Sequence, residues 1–145
     1  MDSSEKGRYG TYCEVLFTAE CLRRAFEPHQ PATIAPHDCV VDCPAGLLKV
    51  QVKGTRTRDV KKKTETYHTM AVHGRGSSRS ILSKDIDIMA VLIEPVDSWY
   101  IIPRSMITVS CLRFYPNPTK KISKWEQYRN NWSPFYVTKE KTNNE

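Results

Sequence analysis

Residues 47–55 constrain this chain more than any other stretch, because Leu48, Val50 and Val52 alternate with Lys49, Gln51 and Lys53. Successive side chains of a strand leave opposite faces, so the apolar set must meet a core and the polar set must face away. The chain therefore needs a sheet with at least one covered face. Pro44-Ala45-Gly46 reads as a turn, and residues 38–42 before it read as a short strand, so a hairpin is expected.

The remaining segments fill in around that sheet. Residues 1–5 read as a disordered end. A helix is expected over 6–26, with Tyr12, Leu16, Ala19, Leu22 and Phe26 at three- and four-residue steps, and Arg23 and Arg24 where cations suit the helix dipole. Pro28, Pro31 and Pro36 then enforce an extended connection. Further strands are expected near 66–72, 86–93, 99–102 and 106–115, with a flexible turn at 74–78. Ile122, Trp125, Tyr128 and Trp132 predict a C-terminal helix over about 119–132, and 138–145 reads as a disordered tail. The order gives one domain over 6–137, of α/β or α+β class, with a mixed central β-sheet flanked by helices.

Lys plus Arg is 22 and Asp plus Glu is 16 in 145 residues, a net charge of +6 that points to a polyanionic partner. Residues 56–84 hold eight bases against two acids, Asp59 and Glu65, so this segment alone carries an excess equal to that of the whole chain. No apolar run is long enough to span a membrane, and no signal peptide opens the chain. The five cysteines are an odd number, which with the absent signal argues for free thiols in a reducing, intracellular compartment, cytoplasm or nucleoid/nucleus. His37, Cys39 and Cys43 lack the close cysteine pair and fourth ligand of a structural zinc site, so the cysteines read as small core residues.

Three polar residues suit one task. Asp38 begins a strand, and Gln51 and Lys53 leave one face of the next. Taken singly, Asp38 reads as a strand terminator and the other two as solvated strand positions. On neighbouring strands they bring a carboxylate, an amide oxygen and an ammonium to one sheet edge. Such an oxygen cluster suits Mg2+, and a lysine beside it can orient a water or offset phosphate charge. Asp42 reads as turn-forming, and Asp85 and Asp87 as structural.

Pro36-His37-Asp38 followed by Gln51-Val52-Lys53 resembles the signature of the PD-(D/E)XK nucleases, closest to the Q-V-K group that includes group I intron-encoded homing endonucleases. Lys6-Gly7-Arg8-Tyr9-Gly10 resembles the family's K-G-x-x-G-E helix opening. Residues 50–55 resemble its V-Q-V-K-T strand with Gly54 as an extra residue. Residues 86–91 followed by 100–103 resemble its later strand pair, so the resemblance covers about 6–110. Three departures stand out. Thr11 occupies the place of the helix glutamate, with Glu14 three residues later on the same side. His37 is inserted into the Pro-Asp dipeptide, and Gln51 replaces an acidic ligand.

The resemblance implies a restriction-endonuclease-like core and a metal-dependent DNA endonuclease of homing type. Asp38, Gln51, the Val52 carbonyl and Glu14 would hold Mg2+, with Mn2+ as a substitute, and Lys53 would position the attacking water. Arg8, Arg56, Arg58, Lys61, Lys62, Lys63, Arg75, Ser77, Ser78 and Arg79 would contact DNA, double-stranded or branched. A chain this short is expected to act as a homodimer or homotetramer, giving one site per strand. The alternatives are a Holliday-junction resolvase-like or restriction/repair nuclease, or a non-catalytic nucleic-acid-binding protein of the same fold, which Thr11 favours.

Overall fold

The computed structural model describes residues 2–73, 80–117 and 121–137. In chain order its elements are helix α1 (Ser3–Arg23) and strands β1 (Glu27–His29), β2 (Cys39–Cys43), β3 (Gly46–Thr55), β4 (Tyr67–Met70), β5 (Val72–His73), β6 (Ser80–Ile81), β7 (Ile88–Ile93), β8 (Ser98–Pro103) and β9 (Cys111–Phe114). The central sheet runs β1-β2-β3-β7-β8. All its pairings are antiparallel except β3 with β7, so the sheet is mixed.

The β2–β3 hairpin closes at Pro44-Ala45, with Cys43 paired to Gly46. Gly46 takes φ 113, a conformation that side chains with a Cβ rarely adopt. β7 is buried at every position because both faces of the sheet are covered, the usual reason for an unbroken apolar strand. Ile88, Ala90 and Leu92 join Leu48, Val50 and Val52 against α1. Met89, Val91 and Ile93 face a second core formed with the antiparallel β4–β9 pair, through Tyr67, Leu112 and Phe114.

Several expectations change. α1 begins at Ser3, because Asp2 caps it: Glu5 donates its N–H to Asp2 Oδ1 at 2.8 Å, and the Asp2 N–H bonds the Glu5 carboxylate. The disordered end expected at 1–5 therefore does not hold for residues 2–5. The buried stripe of α1 is Cys13, Phe17 and Cys21, while Tyr12, Ala19 and Leu22 are exposed. Two apolar stripes compete at helical spacing, and Phe17 wins by stacking among Trp99, Trp132 and Phe135.

The expected C-terminal helix is replaced by short 3-10 turns at Glu126–Tyr128 and Ser133–Phe135. One helical face could not serve here, because Trp125 and Trp132 enter cores on opposite sides of the sheet. The segment instead crosses the free edge of β8, where Arg129 bridges Tyr100 and Asn130 Oδ1 accepts the Trp99 N–H. Among the described residues the sheet is thus flanked by one α-helix rather than several. The strand expected at 106–115 is confined to β9, after a 3-10 turn at Arg104–Met106. The turn at 74–78 and the tail at 138–145 lie outside the described residues.

α1 crosses β3 most closely at Gly54, where an added Cβ would run into Cys13 Sγ. Gly54→Ala is expected to cost about 1–3 kcal/mol through overpacking. Adding Cys13→Ala should recover part of that loss. Urea melts of the two single variants and the double variant would give the coupling, and additive costs would contradict this contact.

Candidate active site

β2 stops pairing at Cys39, opposite Val50, while β3 runs on to Thr55. The open edge so created would leave the Val52 N–H without a ladder partner. Asp38 supplies one. Its own N–H bonds the Val50 carbonyl at 2.9 Å, and its Oδ2 accepts the Val52 N–H at 2.7 Å. A carboxylate placed where a strand ends is thereby fixed by the backbone of its neighbour.

A cleft of about 490 Å³ opens at this edge. Asp38, Glu14, Gln51, Val52 and Lys53 all line it, together with Lys6, Tyr9 and Cys13 from α1 and Arg56 beyond β3. Glu14 comes from the same stretch of α1 as Cys13, which fixes the helix against Gly54. Thr11 is exposed and its hydroxyl bonds back to the Gly7 carbonyl at 3.2 Å, so it takes no part in the cleft.

Glu14 and Asp38 lie close enough in the cleft for each to act on the ionisation of the other. Glu14 is pushed up to about 7, by burial first and then by the Asp38 charge and their shared hydrogen bond. Asp38 is also raised by burial, against the Val52 N–H, Glu14, Lys53 and His37, which all favour its charged form. Two carboxylates that share a proton near neutrality form a place where a cation can replace that proton. With the Gln51 amide beside them, the donors are hard oxygens of the kind that hold Mg2+ or Mn2+. Among the described residues no group of three or more His, Cys, Asp or Glu is placed to hold a metal, so a cation here would depend on two carboxylates plus neutral oxygens.

The basic residues separate. Arg8 and Arg56 line an adjoining cleft with Glu5, Tyr9 and Tyr12. Arg58, Lys61, Lys62 and Lys63 are exposed on the connection to β4. That connection is held by Asp59, which bonds His68 at 2.8 Å and pairs with Arg113 at 3.7 Å. Arg75, Ser77, Ser78 and Arg79 lie outside the described residues. Asp87 ties β3 to β7, its Oδ2 accepting the Lys49 N–H at 2.9 Å. Sequence reasoning missed Lys6 and Tyr9. The signal available was helical spacing, since Lys6 lies one turn before Gly10, which lies one turn before Glu14, and Tyr9 lies one turn before Cys13 on α1.

The pair makes a pH prediction. A carboxyl raised in the folded state favours folding below its ordinary pKa, and that contribution is lost as pH rises through the folded value. Without divalent cations, stability should therefore fall between about pH 4.5 and pH 7. Glu14→Gln should flatten this part of the profile. Thermal melts in EDTA across that window check it, and an unchanged slope in the variant would refute the shared proton.

The family model described as PD-(D/E)XK endonuclease matches residues 4–133. The solved structure of a bacterial homing endonuclease, I-Ssp6803I, superposes with a TM-score of 0.74 at 20% identity, covering 94% of each chain. That likeness is one of fold. The search of curated proteins found no significant match.

Proposed function

This chain belongs to the PD-(D/E)XK endonuclease family, and from that premise we propose that it is a metal-dependent DNA endonuclease of homing type. The observation that carries the reading is the cleft that gathers Asp38 and Glu14 beside Gln51 and Lys53 at the open edge of β3, with Asp38 fixed by the Val52 N–H. Asp38 and Glu14 would hold Mg2+ or Mn2+, with the Gln51 amide oxygen and the Val52 carbonyl as neutral donors. A divalent cation held there offsets the negative charge that builds on a phosphate oxygen during hydrolysis.

The chain's own residues do the rest. Lys53 sits close enough for its ammonium to favour the charged form of Asp38, and it orients the attacking water beside the phosphate. Arg8, Arg56, Arg58 and Lys61 to Lys63 contact the DNA backbone by charge, a contact that weakens with salt. Thr11 in the usual glutamate position would favour a binding protein without catalysis. Glu14 answers that, because it brings a carboxylate into the cleft from one turn further along α1. The homing assignment is supported by the Q-V-K form of β3 and by the fold likeness over 94% of both chains. A homodimer or homotetramer would give one such site per DNA strand.

The test is a cleavage assay on duplex and four-way-junction DNA with Mg2+. Asp38→Ala should abolish cleavage, and Lys53→Ala should slow it by about 10²-fold or more, the scale of a lost proton-handling group. Calorimetry should show Mn2+ binding to the wild type and none to Asp38→Ala, with circular dichroism showing both variants folded. A wild type that cuts no substrate with either metal would overturn the proposal.

A further inference from the structure

Beside the cleft that holds Asp38 lies a second one of about 500 Å³, lined by Glu5, Arg8, Tyr9, Tyr12 and Arg56. The two clefts share Tyr9 and Arg56, so they adjoin. Two aromatic rings and two guanidinium groups make most of the second wall. Its one acid, Glu5, accepts the Asp2 N–H at the start of α1 and so belongs to the helix cap.

These groups are held in a row. Tyr9 and Tyr12 lie one turn apart on α1, with ring centroids 5.9 Å apart. The Arg56 guanidinium stands 4.0 Å from the Tyr9 centroid and 5.8 Å from that of Tyr12. Its Nε pairs with Glu94 Oε1 at 3.2 Å, which fixes the group on the rings. Little ordering is then left for a ligand to impose. Tyr12 is nevertheless 43% exposed, and the Arg56 side chain 48%. Glu94 raises the pKa of the Tyr12 hydroxyl, so the ring is that of a neutral phenol. A neutral ring face beside a cation suits a flat, aromatic ligand attached to an anion.

We propose that Tyr12, with Arg56 beside it, forms a stacking platform for an unpaired nucleobase next to the scissile phosphate. The adjoining clefts divide one nucleotide between them, its phosphate with Asp38 and its base with Tyr12. Tyr9 is the positioning residue. Bases inside a duplex offer no free face, so the occupant is a base at an end, a bulge or a junction, or one turned out of the helix. Every base has a π face, so the contact is tolerant of sequence. This deepens the nuclease reading and rests on it.

The test compares two single-stranded probes of equal length and charge, a thymidine oligomer and its fully abasic analogue, each carrying a fluorophore. Anisotropy is measured with the full chain in EDTA at low salt. The wild type should bind the thymidine oligomer about tenfold more tightly than the abasic one, the scale of a base stacked on an aromatic ring. Tyr12→Ala should remove that preference and leave abasic binding as it was, with circular dichroism showing the variant folded. Tyr12→Phe should keep it. In tyrosine-labelled protein, the ring resonance that Tyr12→Phe removes should shift with the thymidine oligomer and stay in place with the abasic one. Equal binding of the two probes by the wild type, or a preference that survives Tyr12→Ala, would overturn the platform. The measurement uses neither metal nor cleavage, so its failure is separate from failure of the nuclease reading, which the Asp38→Ala cleavage assay decides.

Discussion

The parallel register of β3 against β7, from Val50 opposite Ile88 to Thr55 opposite Ile93, is the constraint from which the rest follows. Parallel strands need a long crossover, and that crossover must cover the sheet or leave it bare. Here residues 56–87 supply it. β4 within them pairs with β9 from beyond β8, and together they cover the face opposite α1. β7 can then be apolar at every position. The same register ends β3 and β7 level with each other, which places Arg56 against Glu94 at the rim of the cleft.

The other edge of β3 does the opposite work. Had β2 continued past Cys39, the Val52 N–H would join an ordinary ladder and there would be no cleft. Because β2 stops, a carboxylate takes the place of a backbone carbonyl, and Asp38 is held by a bond to the strand it leaves. α1 then brings Glu14 against it, at the cost of burying two acids together. An isolated domain selected only for stability would gain by removing one of them. Local instability of this kind, maintained by good packing at Gly54 and Phe17, is common at sites that bind something.

Much of this was legible in the sequence, and what was hidden was hidden for definite reasons. The hairpin and β3 could be read because a period of two has one interpretation. α1 could be read as a helix, but its buried face could not. Tyr12 and Leu22 mimic a core stripe, and only the aromatic cluster around Phe17 selects the other one. Trp125 and Trp132 lie seven apart and imitate a helical face, although they enter different cores. Asp38, Gln51 and Lys53 were found from spacing within and between adjacent strands. Lys6 and Tyr9 were not, because their place in the cleft depends on how α1 packs over β3, far along the chain, which local periodicity does not encode.

Charge balance explains why a neutral Gln51 is tolerated where an acid might stand. With one proton shared, the Asp38–Glu14 pair carries a single negative charge, and Lys53 lies near enough to offset it. Lys6 and Arg56 line the same cleft, so its lining as a whole is positively charged. A third carboxylate would stand beside two whose ionisation is already held back, and its charge would hold them back further. Gln51, buried at 9% exposure, contributes an oxygen without that cost. On the reading proposed above, a divalent cation replacing the proton would add positive charge there, and an incoming phosphate would offset it.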